Sequence, residues 1–95
     1  MAQVTEDVSA RIDWLLTYLL GEWEDLPHLA DEWETLDHVQ QVDALIDWPV
    51  VESNLRALED YAAQGLLTPG QDARYTRLQT MITKHRPVLQ RLMKS

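Results

Sequence analysis

Apolar residues recur at spacings of three and four along almost the whole chain, and this pattern restricts the fold more than any other feature. The clearest run consists of Val8, Ile12, Leu15, Leu16, Leu19 and Trp23. Such spacing places the apolar side chains on one face of an α-helix. No segment alternates apolar and polar residues with the period of two that is typical of a strand. The sequence therefore predicts an all-α protein.

Capping and breaking residues divide the first half of this pattern into segments. Thr5 is a predicted N-cap for the first helix, because acidic residues follow it in the first turn. Gly21 disfavours a helix interior by about 1 kcal/mol, so we expect the helix to end or bend there. A loop around Pro27 then precedes a short second helix. Either Thr35 or Asp37 is predicted to cap a third helix.

Stronger signals divide the second half of the chain. Trp48-Pro49 predicts a helix start, because proline is tolerated at a first helical position. Gly65 is a suitable residue to close that helix. Thr68 and Gln71 form a predicted capping box at the start of the last helix, which Pro87 is expected to kink or split. We expect one domain over residues 1–95, folded as a compact antiparallel bundle of four to six helices.

The helical pattern also predicts which side chains are buried. The expected core consists of Ile12, Leu15, Leu16, Leu19, Val39, Val42, Ile46, Val51, Leu55, Leu58, Tyr75, Leu78 and Ile82. Trp14 and Trp48 are expected to join it, since each large ring buries on the order of 150–250 Å².

Charge is distributed very unevenly along the chain. Residues 1–60 contain fifteen acidic and two basic residues, whereas residues 61–95 contain one acidic and six basic residues. One interpretation is that the acidic half and the basic helical hairpin at the C-terminal end attract each other within the fold, at about 0–1 kcal/mol per surface pair. The other is that the acidic half is displayed to a basic partner, which would raise the rate and selectivity of association.

The densest acidic segment also contains two tryptophans. The predicted partner-binding surface consists of Glu22, Trp23, Glu24, Asp31, Trp33, Glu34 and Asp37. Tryptophan is enriched at binding hot spots, but it also fills small cores. Whether Trp23 and Trp33 anchor a contact or lie in the core is open at this point.

The same segment contains a short internal repeat of the form W-E-x-L-x-H-[LV], at 23–29 and 33–39. Glu and His four residues apart share a helix face, which is a geometry that can supply two metal ligands. The weak candidates for such a site are Glu24, His28, Glu34 and His38. Pro27 is expected to break the helix within the first copy, and neither copy has the Glu-x-x-His spacing of di-metal bundles. No metal or cofactor is therefore predicted.

Four basic residues predict a ridge near the C-terminus: Arg74, Arg77, Lys84 and Arg91. They form one face only if the last helix continues through Pro87. The ridge is then either a solvated face, a face neutralised by the acidic helices, or a surface that follows a phosphate backbone. The helices around 65–68 could form a helix-turn-helix, but the net charge of −8 disfavours nucleic acid as a partner.

Several kinds of chemistry lack the residues that they need. The chain has no cysteine, no glycine-rich phosphate loop and no G-x-S-x-G motif, so we expect a protein that is not an enzyme. The apolar run from Trp14 to Leu20 is far shorter than a membrane span, and the N-terminal residues do not resemble a signal peptide. We expect a cytoplasmic protein with no membrane contact.

These observations favour a small acidic protein-interaction module that binds a basic protein surface, in the manner of an inhibitor, an antitoxin or an adaptor. A self-associating structural subunit is the first alternative, in which the acidic half of one copy meets the basic half of another in a homodimer. A DNA-binding regulator that uses the basic C-terminal helix is the second alternative.

Overall fold

The apolar stripe near the N-terminus lies on one long helix of 27 residues. The computed structural model describes residues 6–94. Its elements are α1 (Glu6–Glu32), a 3-10 helix (Trp33–Thr35), α2 (His38–Leu45), α3 (Trp48–Ala63) and α4 (Pro69–Met93). The predicted cap at Thr5 lies outside the described residues. Within the described range every element is helical, as the spacing predicts.

Helix α1 is longer than the sequence suggests, because it continues through both Gly21 and Pro27. The expected break and the short second helix are therefore wrong. Proline in a helix interior costs about 3 kcal/mol or more through one lost hydrogen bond and a clash. Trp23 and Leu26 are buried before Pro27, and Leu29 packs against the same core after it. Burial of large apolar side chains contributes roughly 1.5–3 kcal/mol each, which outweighs the local cost.

Three long helices form the bundle, rather than the four to six expected. Gln71 at the start of α4 contacts Ser9 near the start of α1, and Arg77 lies near Glu24, so α1 and α4 run in the same direction. Helix α3 runs antiparallel to both, because Glu52 near its start pairs with Arg86 late in α4. The bundle is elongated, measuring 53 × 21 × 16 Å.

One core runs the length of the bundle and draws on α1, the 3-10 helix, α3 and α4. Its buried apolar members are Ile12, Leu15, Leu16, Leu19, Trp23, Leu26, Trp33, Trp48, Val51, Leu55, Leu58, Leu78, Leu89 and Leu92. Most of the residues predicted from α1 and α3 are confirmed. Tyr75 and Ile82 are only partly buried against this core.

Four residues of the predicted core are instead exposed. Trp14 is 51% exposed, because it lies on the opposite face of α1 from Ile12 and stacks on Tyr18. Val39, Val42 and Ile46 are 68%, 49% and 61% exposed, and α2 has no buried residue at all. The helical spacing in α2 is real, but no other described element packs against that face.

Local hydrogen bonds define the helix ends at the positions that the sequence indicates. Asp37, rather than Thr35, caps α2 through a reciprocal capping box with Gln40. Gly65 closes α3 with a φ of 73°, and the N–H groups of Gly65 and Leu66 donate to the carbonyls of Ala62 and Tyr61, which is a Schellman motif.

The predicted capping box of α4 is also present. The Thr68 side chain accepts from the Gln71 backbone N–H, and the Gln71 side chain accepts from the Thr68 N–H. Helix α4 then continues through Pro87, so the expected split does not occur. Pro87 has no N–H to donate to the carbonyl of Thr83, four residues earlier in the helix. Both residues are exposed to solvent. Water can therefore satisfy that carbonyl.

Candidate protein-interaction surface

The two tryptophans of the acidic segment lie in the core and are not on the surface. Trp23 is fully buried and meets Trp48 edge to face, with ring centroids 5.0 Å apart. Trp33 is also buried, and it begins the 3-10 helix that directly follows α1. The interpretation of these two rings as exposed anchors is therefore wrong. Burial of their large apolar surface in the bundle is the physical reason.

Four carboxylates of the predicted surface are exposed: Glu24, Asp31, Glu34 and Asp37. Together with the half-buried Glu22 we call them the acidic band; they lie between the C-terminal part of α1 and the start of α2, with Glu22 and Glu24 on different faces of α1. Glu24 lies 3.8 Å from Arg77 in an exposed pair. The whole chain has sixteen acidic and eight basic residues, so internal pairing cannot neutralise its acidic surface.

Glu22 is the member of the acidic band with the most unusual surroundings. It lines a small cleft between α1 and the segment that joins α2 to α3, together with Asp25 and Asp47. Burial is the main cause that raises the pKa of Glu22 above its ordinary value of 4.5, and repulsion from Asp25 and Asp47 adds to it. Three carboxyl groups therefore lie close together where α1 meets this segment.

The exposed face of α2 forms one wall of an apolar groove at the end of the bundle. We call Val39, Val42, Ile46 and Val50 the α2 stripe. These residues are three to four positions apart, which is the spacing of a helix-packing seam. Val50, in the first turn of α3, is 53% exposed. Val39, Val42 and Ile46 therefore present a helix-like apolar surface to solvent, and Val50 extends it from α3.

The groove beside the α2 stripe has a volume of about 360 Å³. Its walls and floor are formed by Trp33, His38, Gln41, Val42, Leu45, Ile46, Pro49, Leu92 and Met93. The C-terminal end of α4 supplies the opposite wall through Leu92 and Met93. Most of these side chains are apolar, so the groove can accept an apolar partner surface.

Acidic residues surround this groove more than basic ones do. Asp31 and Glu34 line a neighbouring depression that shares Trp33 and Leu92 with the groove, and Arg91 lies in that depression as well. Asp37, Asp43 and Asp47 are exposed along α2 and at its two ends. Lys94, directly after α4, is the other basic side chain nearby. Exposed carboxylates therefore outnumber basic side chains among the residues that lie next to the groove lining in the sequence or in that depression.

The predicted basic ridge is partly neutralised by α1. Arg74 donates to Asp13 at 3.4 Å and to Thr17 at 2.9 Å, and Arg77 faces Glu24. Lys84 is exposed on the same side of α4 as Arg77, and the two side chains line one shallow depression with Thr80, Met81 and His85. The ridge therefore serves at least in part to hold α4 against α1.

Arg86 makes long-range contacts that the sequence pattern does not predict. Its guanidinium donates two hydrogen bonds to Glu52, at 3.0 and 3.4 Å, and lies 5.3 Å from the ring centroid of Trp23. Arg86 thereby joins α4 to α3 and α1. In the sequence, Arg86 follows Lys84 of the ridge by two residues, and this spacing places the two side chains on different faces of α4.

The W-E-x-L-x-H repeat does not produce a metal-binding group within the described residues. Because α1 continues through Pro27, Glu24 and His28 do share a helix face. Glu34 and His38 lie on different elements, the 3-10 helix and α2. No three histidine or carboxylate side chains in residues 6–94 converge in a way that could hold a metal ion.

Comparison with protein-family models, with curated proteins and with solved structures finds no match to this chain. None of the helices in the described part of the chain contains a stretch long and apolar enough to cross a membrane.

Proposed function

We propose that this protein is a small, non-enzymatic interaction module that binds a basic surface of another protein, as an inhibitor, antitoxin or adaptor does. The observation that supports this proposal is the exposure of the acidic band. Glu24, Asp31, Glu34 and Asp37 are all exposed between the C-terminal part of α1 and the start of α2, and the 3.8 Å contact of Glu24 with Arg77 is itself exposed. Complementary charge accelerates association and selects among partners.

The tryptophans of the acidic segment are buried and cannot anchor a partner. Trp23 and Trp33 stabilise the bundle from inside, so the anchors must be other side chains. The carboxylates steer the partner toward this part of the molecule and determine its orientation. Such an effect weakens as salt increases, because exposed charges are screened over about 8–10 Å at physiological ionic strength.

Charge reversal tests the proposal directly. The variant Glu24→Lys/Asp31→Lys/Glu34→Lys is expected to lose a basic partner that the wild-type protein captures from nuclease-treated extract of its native host. All three side chains are exposed, so the circular dichroism of the variant should remain helical. Mass spectrometry of the two eluates makes the comparison.

A matched control reverses the same number of charges away from the acidic band. Glu59→Lys/Asp60→Lys/Asp72→Lys changes the net charge equally, but near the end of α3 and the start of α4. This variant is expected to retain the partner. If both variants lose the partner alike, net charge alone governs binding. If the acidic-band variant binds as wild type does, the proposal is wrong.

A further inference from the structure

The α2 stripe is an apolar helix face that the described chain leaves uncovered. Val39, Val42 and Ile46 lie on one side of α2, and none of them is buried by α1, α3 or α4. Contiguous exposed apolar surface with a polar rim is typical of an interaction site in a folded protein. The groove between this stripe and the end of α4 gives the site a concave shape.

Charge at the rim distinguishes between a second copy and a different partner. In a twofold contact of groove against groove, Asp43 and Asp47, which follow Val42 and Ile46 of the stripe, would lie in one interface with the same residues of the other copy. Like charges brought together in this way oppose association. A partner with basic residues beside its apolar face meets attraction at the same places.

We propose that the groove binds a basic amphipathic helix of another protein, with apolar residues of that helix against Val42, Ile46 and Met93 and its basic residues near Asp43 and Asp47. Recognition of this kind uses apolar anchors at i, i+3, i+4 and i+7, which matches the spacing of the α2 stripe. This assignment rests on the proposed function, and it adds the secondary structure of the partner and the site that receives it.

A model peptide tests the groove without knowledge of the natural partner. The probe is a peptide of about 18 residues made of leucine and lysine, with leucines at helical spacing and no aromatic residue. We expect binding to the full chain, an increase in helical circular dichroism beyond the sum of the components, and NMR shift changes at the methyl groups of Val42, Ile46 and Met93.

Two control peptides test the chemistry of the occupant. One has the same composition in an order without helical amphipathicity, and the other has glutamate in place of lysine. Both are expected to bind at least tenfold more weakly than the probe. Equal binding of the reordered peptide would reduce the effect to general charge attraction and overturn the assignment. Equal binding of the glutamate peptide would contradict the argument from the rim.

Variants of the chain locate the contact. Val42→Gln/Ile46→Gln is expected to weaken probe binding at least tenfold, and both positions are exposed, so the fold should persist. Trp14→Gln is the matched control, because Trp14 is similarly exposed on α1 but far from the groove. Unchanged binding by the groove variant would overturn the assignment. So would a wild-type dimer in sedimentation equilibrium that this variant dissociates, since a second copy would then be the occupant.

Capture from the native host separates the two proposals. Loss of the natural partner by both the groove variant and the acidic-band variant supports the helix assignment. Loss by the acidic-band variant alone overturns the groove assignment and leaves the acidic interaction module standing. Retention by both variants overturns both.

Discussion

At the scale of single residues, Arg86 shows how one side chain can connect three helices. It extends from α4, hydrogen bonds to Glu52 of α3 through both arms of its guanidinium and lies over the ring of Trp23 in α1. Arg86 and Glu52 are both partly shielded from water, which strengthens their interaction relative to a fully exposed pair. A cation over an indole ring adds roughly 0.5–2 kcal/mol.

We expect Arg86→Ala to lower the free energy of unfolding by about 1–2 kcal/mol, because it removes both the ion pair and the ring contact. Arg86→Lys should recover only part of this loss, since an ammonium group cannot form the two-armed contact. Urea denaturation followed by circular dichroism provides the measurement. Arg77→Ala is the control, because its 3.8 Å contact with Glu24 is exposed and should contribute about 0.5 kcal/mol or less. Equal losses in the two alanine variants would contradict this account.

At the scale of elements, the chain specifies its helix ends more clearly than its helix lengths. Asp37 with Gln40, Thr68 with Gln71, and Gly65 each act within a few residues, so sequence alone identifies them. Continuity through Pro27 and Pro87 depends on packing against distant parts of the chain, which a local pattern does not contain.

Gln71 has a local role that the sequence predicts and a long-range role that it does not. Its side-chain oxygen completes the capping box with Thr68, while its Nε2 donates to the backbone carbonyl and hydroxyl of Ser9 and to Asp13 at 2.9 Å. Gln71 is the one buried polar residue in the described part of the chain. It therefore joins the start of α4 to the first turns of α1.

This double role reverses the usual expectation for a capping box. Glutamate is a favoured residue at this position of the motif, so a local argument predicts that Gln71→Glu is neutral or stabilising. We expect a loss of about 2 kcal/mol or more, because the new carboxylate cannot donate to Ser9 and lies beside Asp13. Thermal unfolding near neutral pH measures the effect. Gln40→Glu in the exposed capping box of α2 is the control and should change stability little. A neutral Gln71→Glu variant would contradict the long-range role.

At the scale of the whole molecule, the sequence indicates an all-α fold and an acidic surface, but it does not indicate which apolar faces are covered. The α2 stripe has the same spacing as the buried stripe of α1, and only the arrangement of the three long helices leaves it exposed. Trp23 and Trp33 illustrate the converse, since acidic neighbours surround them in sequence although both are buried. Periodicity specifies a face, and tertiary packing determines what lies against it.

The surroundings of Glu22 also predict how the stability of the fold depends on pH. The pKa of Glu22 is raised in the folded state, chiefly by burial and further by Asp25 and Asp47, so folding favours its protonated form. Its contribution to stability is therefore fully present below the ordinary value of 4.5 and is lost as pH rises through the folded-state pKa. At neutral pH the ionised side chain destabilises the folded state.

We therefore expect Glu22→Gln to raise the urea midpoint near pH 7, because the amide removes the buried negative charge and its repulsion from Asp25 and Asp47. The advantage should shrink near pH 4, below the ordinary value of 4.5, because the raised pKa favours the protonated carboxyl in the folded state. Glu59→Gln, which removes an exposed charge at the far end of α3, is expected to raise the midpoint less. Urea titrations of the three proteins at both pH values provide the measurement. A gain for Glu22→Gln that is the same at both pH values would show that shape, and not charge, causes it.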